Sequence, residues 1–452
     1  MLQPVDEHTL LQITTCLAQN GYHKEIDKMV QLNGAFWNDE LIWDAYKDVS
    51  GRYGRTRLQY AAKKGNVERF QFLLDRGAKI NVSDIRGFTT LMVASSNGRL
   101  EIVKELCRRG ANVNAVPTDG GSTALIFASQ NGHLEIVREL CRKGAHVNAA
   151  KADNGVTALI AASVNGHLEI VDELCRKGAD VNVATRDNGS TALMLASWKG
   201  HLEVVSLLCG KWANVNTAAT DDGMTALMLA SGKGRLEVVK ELCRKGADVN
   251  KAITDNGNTA LMMASQEGYL EIVKELCRKG ANVNDTTMIN GTTALMLACG
   301  KGHLKVVKEL CSKGANVNAA TTDVGLSALM YASANGHLEI VRELCIIGAL
   351  VNAETKDIGI SALMSASANG HLEIVKELCR KGANVNTTKR DNGSTALMCA
   401  TQGGHLEVVR ELCRKGADVN VARKNDGMTP LMVASRYGYL EIVRELHEKG
   451  AK

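Results

Sequence analysis

Apolar and polar positions follow one rhythm through most of the chain, and the stretch from Gly121 to Asn154 shows it. Ala124 to Gln130 is apolar at most positions and follows Thr123, whose hydroxyl suits the N-cap of a short helix. Asn131-Gly132 predicts the end of that helix, because glycine accepts the left-handed turn that closes one. From His133 to Lys143 the residues Leu134, Ile136, Val137, Leu140 and Cys141 recur at helical spacing, predicting a second helix with one wide buried face. Glu135 lies in its first turn and Arg142 and Lys143 in its last, each sign matching the helix dipole. Gly144 ends it. Ala145 to Asn154, with Val147 between polar neighbours and Asp153-Asn154-Gly155 as turn formers, predicts a projecting hairpin finger.

The same unit returns with a fixed period. Gly87, Gly121, Gly155, Gly189, Gly223, Gly257, Gly291, Gly325, Gly359, Gly393 and Gly427 each stand 34 residues after the one before. One earlier copy of 33 residues begins at Gly54, so twelve copies, numbered here repeat 1 to repeat 12, cover residues 54–452. Self-similarity at this period predicts an all-α solenoid whose repeats bury their faces only against neighbours.

The residues resemble the ankyrin repeat family. Its Thr-Pro-Leu-His-x-Ala opening corresponds to Thr123-Ala124-Leu125-Ile126-Phe127-Ala128, its Gly-His-Leu-Glu-Ile-Val to Gly132 to Val137, and its Gly-Ala-x-Val-Asn to Gly144 to Asn148. Two departures are systematic. The proline survives only at Pro430, and the histidine of the opening is replaced, mostly by methionine as in Met194, Met228, Met296 and Met398. That exchange removes the side chain the family uses for hydrogen bonds between finger and helix. Most repeats also carry one extra finger residue. The resemblance implies a curved, elongated interaction module that contacts proteins through its fingers and the inner face of its first helices. It also matches Asn114, Asn148 and their equivalents to finger asparagines that are hydroxylated in similar proteins. An asparagine beside a turn is otherwise expected to bond its own backbone.

Residues 1–53 lie outside the period and hold Trp37 and Trp43 with Phe36, Tyr46 and Tyr53. Helical patterns at about 7–19, 23–31 and 39–48 predict a helical cap over the open apolar end of the first repeat, as solenoids require. An aromatic ligand site there is the alternative. At the other end His447 and Glu448 replace the usual Cys-Arg pair, a polar shift that suits an exposed last repeat, and the stop at Lys452 also fits a fragment of a longer protein.

Composition narrows the chemistry. With 45% hydrophobic and 23% charged residues the chain folds, and a net charge of +5 is too small to imply nucleic acid or an anionic membrane as partner. The longest apolar run, Cys345 to Val351, is far short of the ~20 residues of a membrane span. Leu10-Leu11 follows Asp6, Glu7 and His8, the wrong flank for a secretory signal, which predicts an intracellular and cytoplasmic protein.

Ten of the thirteen cysteines, from Cys107 and Cys141 through Cys277 to Cys413, recur every 34 residues at one place on the second helix. Neighbouring copies would stand ~8–10 Å apart, beyond the ~7 Å Cα spacing of a disulfide, so the ladder predicts buried structural thiols in a reducing compartment. His133 and Cys141 are eight residues apart on one helix, about 12 Å, too far to share a metal. Seven histidines, His133, His167, His201, His303, His337, His371 and His405, open second helices as turn or cap residues. Glu271, Glu275, Arg278 and Lys279 typify a charged, solvated outer face. No catalytic constellation stands apart from the repeat, so neither enzyme activity, metal nor cofactor is expected.

Function therefore reads as a protein-interaction scaffold, with a targeting or regulatory arm of a larger enzyme, or a self-assembling oligomer, as alternatives. Candidate contact residues lie where repeats differ. Trp198, Gly232, Gln266 and Gly300 occupy one equivalent site; Lys199, Lys233 and Lys301 follow it, and Met224 and Leu326 stand in fingers. Trp212 takes the place of a helix-ending glycine, with Gly210 arriving early, so the second helix of repeat 5 is expected to end differently. In repeat 9, Ile346, Ile347 and Leu350 replace charged or polar residues. Together with Ile358 and Ile360 they predict an exposed apolar patch suited to weak self-association or a second protein partner.

Overall fold

The computed structural model describes residues 56–84, 86–118 and 120–452; the expected cap over 1–53 lies outside them. Within the described residues 24 helices follow one another in twelve pairs, from Arg57–Lys64 to Leu440–Glu448. The fingers contribute only isolated antiparallel bridges, such as Ala150 with Thr157. The paired-helix, all-α solenoid is thus the fold that forms.

Repeat 3 shows why. Thr123 is extended, and its hydroxyl accepts the N–H of Ile126 at 3.3 Å, starting the helix Ala124–Gln130. The second helix runs Leu134–Arg142, one residue shorter at each end than its apolar pattern suggests, with His133 and Lys143 as flanking residues. Gly132, at φ 80°, turns the chain between the helices. Leu125, Ile126, Ile136, Val137 and Leu140 are each at most 2% exposed. A Leu or Ile so buried contributes about 1.5–3 kcal/mol, but its partners come partly from the adjacent repeat, so the repeats stabilise one another.

The chain divides into two compact units at Asp221/Asp222, one residue before repeat 6 begins at Gly223. Within each, first helices pack on the first helices of the next repeat and on their own second helices.

The methionines that replace the family histidine are core residues: Met194, Met228, Met296 and Met398 are 1–2% exposed. Threonine hydroxyls hold several fingers instead. Oγ1 of Thr185, Thr287, Thr321 and Thr355 accepts the N–H of Ser190, Thr292, Leu326 and Ile360 respectively, at 2.8–2.9 Å. One polar column is left over. Ser95, Ser129, Ser163 and Ser197 in the first unit, and Ser231, Ser265, Ser333 and Ser367 in the second, are fully buried with hydroxyls that have no hydrogen-bond partner.

Candidate protein-interaction surfaces

Two side-chain ladders fix the backbone that carries the candidate surface. The histidines that open second helices do not cap their own helices. Their Nε2 atoms reach back to the carbonyl at the end of the first helix of the preceding repeat: His167 to Gln130 at 3.0 Å, His201 to Val164 at 3.1 Å, His303 to Gln266 at 2.9 Å, His337 to Gly300 at 3.2 Å. A carbonyl only accepts, so Nε2 carries the proton. The imidazole also lies over the helix-ending glycine: a Cβ on Gly132 would come within 2.8 Å of His167. Arg99 makes the same backward link to Lys63 at 3.2 Å.

The finger asparagines form the second ladder, and they correct the expectation that they bond their own backbone. Asn284 donates to the Gly314 carbonyl at 3.1 Å and accepts the Asn316 N–H at 2.8 Å, clamping the end of the next second helix. Asn114, Asn148, Asn318, Asn352 and Asn386 do the same one repeat apart. Each clamp takes one carbonyl and one N–H of the turn that follows the helix, at Gly314 and Asn316 in the case of Asn284.

The site at which repeats differ is the end of the first helix, the residue whose carbonyl the histidine ladder holds at Ser96, Gln130, Val164, Gln266, Gly300, Ala334 and Ala368. Its side chain is never buried: Ser96, Val164, Trp198, Gln266 and Ala334 are half-exposed, and Gln130, Ala368, Gln402 and Arg436 are exposed. Trp198 carries Lys199, whose Nζ lies 4.2 Å from the ring centroid. In the second unit Lys233 and Lys301 are exposed, and Gln266, Met224 and Leu326 half-exposed.

Sequence reasoning missed the residues that lie one turn earlier on the same helices. Leu229, Met263, Leu297 and Tyr331 are half-exposed at equivalent positions. Met263 lies over Gly232 and Tyr331 over Gly300, where an added Cβ would stand 3.4 and 3.5 Å from them. Their apolar character hid them, since it equally suits a core position; the variation among Phe127, Ala161, Leu195 and Ser365 at that site was the available signal. In the first unit the rings of Phe88 in a finger and Phe127 of the following repeat meet at a tilt of 45° with centroids 5.4 Å apart, and the Arg86 guanidinium lies 4.6 Å from the Phe88 ring.

Trp212 overturns the expectation about repeat 5. The second helix there, Leu202–Gly210, ends as its equivalents do, and Trp212 itself takes the left-handed conformation at φ 68°, the only non-glycine among the described residues to do so. Its indole is 89% exposed. Asn182 still reaches the Trp212 carbonyl, at 3.4 Å rather than the 3.0–3.3 Å of the neighbouring clamps.

The outer face is charged, with Glu271 and Arg278 solvated as expected, but Glu275 keeps only 10% of its side chain exposed and its equivalents Glu173, Glu377 and Glu411 are buried. Arg278 pairs with Glu275 at 2.6 Å and Lys274 with Glu271 at 2.8 Å. Arg108 and Arg109 hold the Glu105 carboxyl down to about 2. The cysteine ladder is less buried than expected: Cys107 is buried, but Cys141 to Cys413 are half-buried, while Cys299 and Cys399, on first helices, are buried. Desolvation pushes the Cys141, Cys243 and Cys311 thiols up to about 11, so they are neutral and unreactive near pH 7. Among the described residues no His, Cys, Asp and Glu cluster could hold a metal ion, and no helix is long and apolar enough to cross a membrane.

In repeat 9 the structure separates the predicted apolar residues. Ile346, Ile347 and Leu350 are 72%, 40% and 62% exposed around one helix end, whereas Ile358 and Ile360 sit half-buried in the finger.

Comparison with known proteins agrees with this anatomy. The model of ankyrin repeats in three copies matches overlapping stretches from 14–117 to 363–452 that leave no gap between them. No curated protein matches the chain. Among solved structures, the crystal structure of the human ASB11 ankyrin repeat domain is 23% identical, with a TM-score of 0.46, covering 50% of this chain and 99% of that one. Ankyrin repeats are generally protein-protein interaction modules. With twelve helix pairs on one period and family matches running through them, the chain belongs to the ankyrin repeat family.

Proposed function

We propose that the protein is a non-catalytic scaffold or adaptor that binds other proteins through the fingers and the exposed side of the first helices, within each compact unit. One observation carries this: at Gln130, Val164, Gln266 and Gly300 the residue that varies at the end of the first helix is the one whose backbone carbonyl a histidine of the next repeat holds. A constant, rigid frame that displays changing side chains lowers the ordering cost of recognition and leaves the specificity to those side chains. Trp198 and Lys199 in the first unit supply an aromatic and cationic anchor, and Met263, Tyr331 and Gln266 in the second supply apolar and polar contacts. The twelve free thiols among the described residues support a reducing, intracellular setting. The test is affinity capture from the native cell with the wild-type chain and with Trp198→Ala and Met263→Ala variants. Equal affinity of every captured partner for the wild-type chain and both variants would defeat the proposal.

A further inference from the structure

The second-helix ends, with the first residues of the finger that follows, form an edge apart from the first-helix ends just described, and repeat 9 breaks its chemistry. In repeats 7, 10 and 11 the two residues after the ladder cysteine are Arg-Lys: Arg278-Lys279, Arg380-Lys381 and Arg414-Lys415. In repeat 9 they are Ile346-Ile347, and the polar residue two places beyond the closing glycine is Leu350. The local structure adjusts to them. The helix Leu338–Ile347 runs ten residues where its neighbours run nine, and Gly348 caps it at φ 101°. The three side chains are exposed, and no repetition of the fold requires them: the same backbone positions hold Arg380, Lys381 and Asn384 in repeat 10.

The patch is also held rigid. Asn318 donates to the Gly348 carbonyl at 3.2 Å and accepts the Leu350 N–H at 2.8 Å, so the turn between the apolar residues is pinned from repeat 8. Glu343, which would face an arginine three residues on, is taken instead by Lys308 of repeat 8 at 3.2 Å.

Charge around the patch selects the occupant. From His303 to Lys313, His337 to Ile347 and His371 to Lys381, the three second helices of repeats 8 to 10 with their flanking residues carry seven basic side chains and five acidic ones, a net of two positive charges. Lys313 and Arg380, at the same helix ends as the patch, pair with Glu309 and Glu377 of their own helices, but keep 48% and 63% of their side chains exposed while those glutamates keep 20% and 8%. A second copy docking isologously would set this positive edge against itself. An acidic segment would meet both the apolar centre and the basic flanks.

We propose that the C-terminal end of the second helix of repeat 9, with Ile346, Ile347 and Leu350 as its apolar centre, is a second docking surface. It would take an acidic amphipathic segment of another protein, with adjacent apolar residues flanked by Asp or Glu. It stands independently of the first-helix surface, so the chain would hold two partners at once.

The test uses a random 16-residue peptide library displayed on phage, selected against the full chain. A counter-selection uses the variant Ile346→Arg, Ile347→Lys, Leu350→Asn, which restores the residues of repeat 10. The proposal expects peptides carrying paired apolar residues flanked by Asp or Glu. By fluorescence polarisation they should bind the wild-type chain at least tenfold more tightly than the variant, more weakly as salt rises, and equally well to Trp198→Ala. Circular dichroism should show the variant folded. Selection of no such peptides, or binding that the variant leaves unchanged, overturns the proposal. So does loss in the variant of a concentration-dependent dimer seen by sedimentation, or of binding to vesicles of phosphatidylcholine and phosphatidylserine, in the absence of peptide binding.

Discussion

Replacing Trp212 by glycine should stabilise the protein. The residue sits at φ 68°, where every other described repeat has glycine, and a side chain in that conformation costs roughly 1–2 kcal/mol. Glycine returns part of the gain, because its more flexible unfolded chain costs about 0.4–1 kcal/mol. The indole is 89% exposed, so little burial is lost. The balance is a net stabilisation of about 0.5–1 kcal/mol, a factor of about two to five in a local opening equilibrium. Trp212→Ala keeps the conformational penalty and should gain nothing. A solenoid need not unfold in one step, so the readout is native-state hydrogen exchange at two amides. The Ala213 N–H donates to the Leu208 carbonyl at 3.1 Å, and the Asn214 N–H donates to Asn182 Oδ1 at 2.8 Å. Both should exchange about two- to fivefold more slowly in the glycine variant and not in the alanine variant. Faster exchange in Trp212→Gly, or equal protection in Trp212→Ala, would refute the reasoning. If the strained indole is retained for contact, the same glycine variant binds its partner more weakly while being more stable.

Asn284→Ala removes both arms of one clamp and should cost about 1–2 kcal/mol, seen as faster exchange at the Asn316 amide; an unchanged rate there would contradict the role given to the ladder. Ser265→Ala deletes a buried hydroxyl without a partner and should leave stability unchanged or raise it by up to about 1 kcal/mol in urea unfolding, whereas a clear loss would reveal a bond the structure does not show. Cys141, Cys243 and Cys311, with thiols near 11 against a usual 9, should alkylate slowly at pH 8 and progressively faster toward pH 11. The unfolded thiols ionise first, so these groups favour folding below about pH 9, and that contribution fades as pH rises toward 11; rapid alkylation of native protein at pH 8 would overturn this.

The period made the fold legible. Thr123, Gly132, Gly144 and the spacing of Ile136, Val137 and Leu140 each encode a local preference that the helix pair satisfies, and recurrence removes ambiguity about which pattern matters. What could not be read were the links between repeats. His167 looks like a helix-opening residue, yet its hydrogen bond goes to Gln130, 37 residues earlier. Asn148 looks like a turn residue, yet its partners, Gly178 and Asp180, lie 30 and 32 residues ahead. Sequence order hides these contacts because they arise only when repeats stack. Trp212 failed for a different reason: the local penalty is real, but a helix terminus clamped by Asn182 overrides it. Of the candidate contacts, Ile346 and Leu350 were legible because they replace charged or polar residues, while Met263 and Tyr331 were not, since an apolar residue on a buried helix carries no mark of partial exposure.

The central claim is that partners bind the displayed ends of first helices and the fingers, on a frame that does not change. Hydrogen exchange of the full chain with and without a partner captured from its native cell tests it most directly. The account predicts slowed exchange in partner-bound protein around Trp198 and Lys199, or around Gln266 to Gly268 and Gly300 to Gly302, with the outer second-helix segments such as Glu271 to Arg278 unchanged. Protection confined to those outer segments, with the first-helix ends and fingers unaffected, would contradict it.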